Sequence, residues 1–189
     1  MRILIAALLG GVVTFFWGFV AHVVLPVGDM GMVVASDAAQ DQVAAAMKAG
    51  FPGEGVYMVP GMDPKLMNDE AAMKAFGARA TAMPNAFVVY QPVGKDVANN
   101  MGPNLGIQFV TDTLGALVAA FVAAMIAGFG RRVQAVTAMG LFAWITVSLP
   151  YWNWYRFPLA FTEGALIESV VAALLAGVVS AWWLGRGER

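Results

Sequence analysis

The stretch Ile3–Leu25, ILIAALLGGVVTFFWGFVAHVVL, decides the fold. It holds one ionisable residue, His22, and at ~1.5 Å rise its roughly 23 residues extend ~34 Å, enough to cross a ~30 Å hydrocarbon core. This is the first expected transmembrane helix. A signal peptide cleaved after Ala35 is the competing reading, but the apolar region of a signal is only about 7 to 15 residues long. Pro26 ends the helix, because a proline cannot donate to the backbone ladder and biases Leu25 away from helical geometry.

The rest of the chain supports a membrane setting. Of its 189 residues, 60% are hydrophobic and 12% charged, against roughly 25% charged in a soluble domain. The net charge of −1, with eleven Lys and Arg scattered along the length, excludes a nucleic-acid partner, which requires a dense basic patch. Cysteine is absent, which removes disulfide exchange, thiolate catalysis and Cys-ligated metal centres. An extracytoplasmic segment with neither cysteines nor an Asn-x-Ser/Thr sequon is expected of a bacterial rather than a eukaryotic protein.

After Pro26 a polar insert, residues 27–104, interrupts the apolar chain. Within it, Ser36 or Asp37 caps an expected helix through Lys48 that ends at Gly50. Gly55 to Gly61 reads as a short strand bounded by turn residues, a second helix starts near Asn68 or Asp69 and stops before Pro84, and Ala86–Tyr90 is a second strand. The insert is therefore expected to be a small α+β unit. Three further spans follow at about 107–129, 133–149 and 159–184, with Tyr151 to Arg156 as an aromatic loop at the membrane interface. The expected fold is an all-α four-helix transmembrane bundle with an α+β insert between its first and second helices, so the chain divides into 1–26, 27–104 and 105–189.

Orientation follows from arginine. Arg2, Arg131, Arg132, Arg186 and Arg189 fall on one side of four spans, and the short loop opposite carries only Arg156. The positive-inside rule then makes both ends cytoplasmic and the insert extracytoplasmic, in a bacterial inner membrane.

Residues four apart share a helix face. At that spacing the first span gives Ala6, Gly10, Thr14, Gly18 and His22; the second gives Gln108, Asp112, Ala116, Ala120 and Ala124; the fourth gives Gly164, Glu168, Ala172 and Ala176. Small residues in such stripes let helices approach closely in lipid, so Gly10, Gly18, Ala116, Ala120, Gly164 and Ala172 are the expected packing positions. His22, Asp112 and Glu168 lie on the same stripes, roughly 5, 10 and 13 Å below the outer boundary at ~1.5 Å per residue. Ionisable groups at such depths face the bundle and find partners. They are expected to form one polar cluster beneath the insert, joined by Glu163, Thr146 and Ser148.

Nine of the twelve methionines lie between Met30 and Met101. Met30, Met32, Met58 and Met62 are weak candidates for a soft metal such as Cu(I), although methionine serves more often as a flexible apolar filler. Nothing resembles a hydrolase elbow, and one histidine cannot build a zinc or bis-histidine haem site. The expectation is a non-enzymatic protein without a cofactor, an accessory or assembly subunit whose partners are the bilayer and a membrane protein or a second copy of itself. The alternatives are a small proton- or cation-coupled transporter or sensor, in which His22 titrates close to carboxylates, and a copper-handling protein.

Overall fold

A computed structural model describes residues 1–186. Its elements are α1 (Arg2–Phe19, continued by a π-helical turn, Val20–Val24), α2 (Asp37–Gly50), β1 (Gly55–Val59), α3 (Glu70–Ala82), β2 (Ala86–Tyr90), α4 (Gly102–Ala124), α5 (Phe129–Tyr155) and α6 (Leu159–Gly185). Four helices, α1 with its π turn, α4, α5 and α6, are long and apolar enough to cross a membrane, which fits a multi-pass membrane protein. Arg189, counted in the charge pattern above, lies outside the described residues.

Two of these helices depart from the bounds expected from hydropathy: α4, at Gly102–Ala124 against 107–129, is shifted toward the N-terminus without being longer, and α5, at Phe129–Tyr155 against 133–149, is longer at both ends. α4 begins at Gly102, five residues before the apolar run, because Pro103 falls in its first turn, where a missing backbone N–H costs no helical hydrogen bond. α5 runs from Phe129 through Pro150 to Tyr155. Its polar start is stabilised across the hairpin: the buried Arg132 donates from Nε to the carbonyls of Ala123 (3.0 Å) and Ile126 (2.7 Å) at the end of α4. These are carbonyls that a helix end leaves without intrahelical partners. Pro150 removes one ladder bond without ending the helix, and Tyr151 to Tyr155, expected as loop, form its last turn. Arg156 then reverses the chain with φ 60° and ψ 35°.

The chain divides into two compact units, Val34–Asp96 and the remainder. In the helical unit, α5 packs most extensively on α6, and α1 packs on both α4 and α6, whereas α4 and α5 meet sparsely. The seams are made of small residues. A Cβ placed on Gly10 would lie 2.9 Å from Ala116 Cβ, and one on Gly140 would lie 2.6 Å from the Ser169 carbonyl oxygen, so backbone approaches backbone at both crossings. The core follows suit: Ala6, Ala119, Ala120, Ala123 and Ala176 are buried together with Val136 and Leu184.

At the Arg132 end, Arg2 Nη2 donates to Leu184 O (2.9 Å) and Trp183 Nε1 donates to Arg2 O (3.2 Å), tying the start of α1 to the end of α6. Arg186 stacks 3.9 Å above the Trp182 ring, a cation–π arrangement. Cations therefore gather where α4 and α6 present their negative C-terminal dipoles.

In the insert unit, β1 and β2 pair antiparallel from Gly55↔Tyr90 to Val59↔Ala86. Asp69 caps α3 by accepting from Ala72 N at 2.9 Å. Phe51 stacks on Tyr57 at 4.0 Å, and Tyr90 meets Phe51 edge-on at 5.3 Å. The unit starts at residue 34 rather than 27, because the loop after Pro26 folds onto the helices instead.

Candidate functional site

The site is built where α1 loses its α-helical register. Leu25 N donates to Val20 O at 2.8 Å, five residues back, which defines the π turn. The side chains of Trp17 and His22 both reach one residue of α6, Glu168. Trp17 Nε1 donates to the Glu168 carbonyl oxygen at 3.0 Å, and His22 Nε2 lies 2.9 Å from Glu168 Oε1. Gly18 is left out of the seam, since an added Cβ there would meet no atom within 4 Å.

The loop after Pro26 closes over this pair. Gly28 N donates to Ala21 O at 3.0 Å, and Gly28 lies so close to the His22 ring that a Cβ would overlap it. Gly164, one turn before Glu168, meets this loop rather than a helix: a Cβ there would lie 2.7 Å from Val27 O and 3.1 Å from Met30 Cβ. Even so, the His22 and Glu168 side chains remain 49% and 37% exposed, so the pair is accessible from one side.

The other expected members are placed differently. Asp112 Oδ1 accepts from Gln108 Nε2 at 2.9 Å, one turn earlier on α4, and Asp112 is near enough to Glu168 to interact with it electrostatically. It makes no hydrogen bond to His22. Glu163 is exposed and makes no hydrogen bond or ion pair among the described residues. Thr146 bonds its own helix at Phe142 O (2.8 Å). The structure therefore brings together His22 and Glu168, holds Asp112 in their neighbourhood, and leaves Glu163 and Thr146 apart.

Among the packing positions, Ala116 and Ala120 are buried, Ala116 against Gly10, and Ala172 lines a hollow of about 300 Å³ between α4 and α5 that also takes in Asp112. Met30 and Met32 belong to the helical unit, Met58 and Met62 to the insert unit. Among the described residues, no group of three or more His, Cys, Asp and Glu is arranged to hold a metal ion.

Sequence spacing missed Trp17, which bonds the Glu168 carbonyl, and Gly28, which lies against the His22 ring. It also missed a second small-residue row on α6, Ser169, Ala173 and Gly177, which meets α5 at Gly140, Val133 and Val136. That row has the same four-residue spacing as the one chosen and was legible in principle. No protein-family model, curated protein or solved structure matches this chain.

Proposed function

We propose that this protein is a non-enzymatic subunit of a bacterial cytoplasmic-membrane assembly, crossing the membrane four times and engaging a protein partner through its extracytoplasmic insert. The observation that carries this reading is the surface of the insert unit. Pro60 is its one buried residue, and one face of its two-stranded sheet presents Val56, Met58 and Val89 at 61%, 44% and 69% exposure. These three alternate along paired strands and so lie together. A contiguous apolar patch on a polar unit marks an interaction surface, and so few buried residues are marginal for independent stability. The orientation rests on Arg2, Arg131, Arg132 and Arg186, which share one end of the antiparallel helices, whereas Arg156 lies at the other.

The test is purification from the native membrane in mild detergent, followed by native mass spectrometry. A stoichiometric membrane partner or second copy is expected with the wild-type chain and is expected to be lost with Val56→Asp plus Val89→Asp. A partner-free monomer contradicts the reading.

The His22–Glu168 contact favours a second reading, a proton- or cation-coupled sensor or transporter. An accessible imidazole–carboxylate pair among membrane-crossing helices can exchange protons. Glu168→Gln and Asp112→Asn separate the two readings. Loss of pH- or cation-dependent activity with assembly intact favours coupling, and loss of assembly favours a role in holding the helices together.

A further inference from the structure

The hollow between α4 and α5 carries a separate argument, independent of what the insert binds. It exists because α4 and α5 meet only sparsely and because its walls are small: Gly115, Ala119, Gly140, Ala143, Ala172 and Ala173 all contribute. Its volume of about 300 Å³ falls within the range of small-molecule sites. The hollow is open on one side, and its volume is that of a compact molecule.

The polar part of the wall selects the chemistry of that molecule. Thr14 donates its hydroxyl proton to Gly10 O at 3.0 Å, and Thr111 donates its own to Gln108 O at 2.9 Å. Met139 offers only a thioether. Asp112 uses Oδ1 on Gln108 Nε2, and its Oδ2 bonds no described residue. The side chains around the hollow thus present acceptors whose own donors are already committed. When ionised at membrane depth, this carboxylate also needs a counter-charge. A cationic donor meets both demands, while an anion or a molecule with acceptors alone meets neither.

We propose that this hollow binds a compact apolar molecule bearing one ammonium head, of the lipophilic amine class, with the head on Asp112 and the body against the glycines and alanines.

The test uses the full chain in lipid nanodiscs and four probes that share one cage: 1-aminoadamantane, adamantan-1-ol, adamantan-2-one and adamantane-1-carboxylate. Saturable binding, read by calorimetry or ligand-observed NMR, is expected to be tightest for the amine and about ten-fold or more weaker for the ketone and carboxylate. Asp112→Asn is expected to weaken the amine about ten-fold and to level the series. Gly115→Leu adds a side chain at a wall position where a Cβ meets no atom within 4 Å, and is expected to abolish saturable binding of every probe while the protein stays helical and monodisperse. Absence of saturable binding, equal affinity for amine and ketone, or an unchanged amine affinity in Asp112→Asn would each overturn the proposal. Two nanodisc compositions identify the source of the head group. Competition by phosphatidylethanolamine but not phosphatidylcholine supports the proposal with a lipid ammonium as occupant, and equal amine affinity in both supports it with a diffusible amine.

Discussion

Alanine does opposite things in the two units of this molecule. On α4, Ala116, Ala119, Ala120 and Ala123 are all buried; on α2, with Ala38, Ala39, Ala44, Ala45, Ala46 and Ala49, no residue is buried. The residue type and the helix are the same, so the difference lies in what the helix meets. In lipid, apolar burial gives helices no preference for one another, and close backbone approach through small side chains supplies the contact energy. In water a methyl group is too small to drive packing, and α2 keeps its alanines for helix propensity. The small-residue surface is thus an adhesive in the helical unit, whereas the alanines of α2 in the insert unit bury nothing.

That contrast breaks most visibly at Gly10. Gly10→Leu forces a branched side chain into a seam where even a Cβ would lie 2.9 Å from Ala116 Cβ. Destabilisation of about 3 kcal/mol is expected, measured by unfolding in bicelles or nanodiscs. Ala45→Leu on the exposed face of α2 is expected to stay within ~0.5 kcal/mol. Comparable effects at the two positions would end the distinction.

Arg132→Ala ranks next. It removes the buried Nε donor shared by the Ala123 and Ile126 carbonyls and is expected to cost about 2 kcal/mol. Lys48→Ala in the last turn of the exposed α2 is expected to cost ~0.5 kcal/mol or less. The same unfolding assay compares them.

The smallest effects belong to the two contacts on Glu168. Trp17→Phe deletes the indole donor and is expected to cost about 1 kcal/mol, while His22→Ala, at a half-exposed pair, is expected to cost less than ~1 kcal/mol. Because both side chains contact one residue, Glu168, the double variant is expected to depart from additivity by about 0.5 kcal/mol. Strict additivity would argue that Glu168 does not couple them.

These effects also mark which features local chemistry makes legible. The four long helices and the strand at Ala86–Tyr90 follow from hydropathy and from proline and glycine punctuation. Two boundaries were hidden because they depend on a side chain capping the preceding helix or on a helix tolerating proline: α5 starts early where Arg132 bonds the Ala123 and Ile126 carbonyls, and it continues beyond Pro150. The His22–Glu168 pairing was legible only in part, since depths of roughly 5 and 13 Å at ~1.5 Å per residue put both residues in the outer half of their spans but not at one level. Its geometry was not legible, because the four-residue stripe selects Gly18, whereas the residue that joins His22 on Glu168 is Trp17, which lies off that stripe. Likewise, the choice between two equally spaced small-residue rows on α6 depends on which neighbour each row meets, and spacing alone carries no information on that.

The proposed division of labour, with helices held by small residues and the insert binding through the exposed face of its two-stranded sheet, is tested most directly by one comparison. The assembly purified in mild detergent is weighed by native mass spectrometry for the wild-type chain and for Val56→Asp plus Val89→Asp. A stoichiometric partner or second copy on the wild type, absent from a variant whose helical unit unfolds normally, is the predicted result. A wild-type chain that is a partner-free monomer, or a variant that keeps its partner, would contradict it.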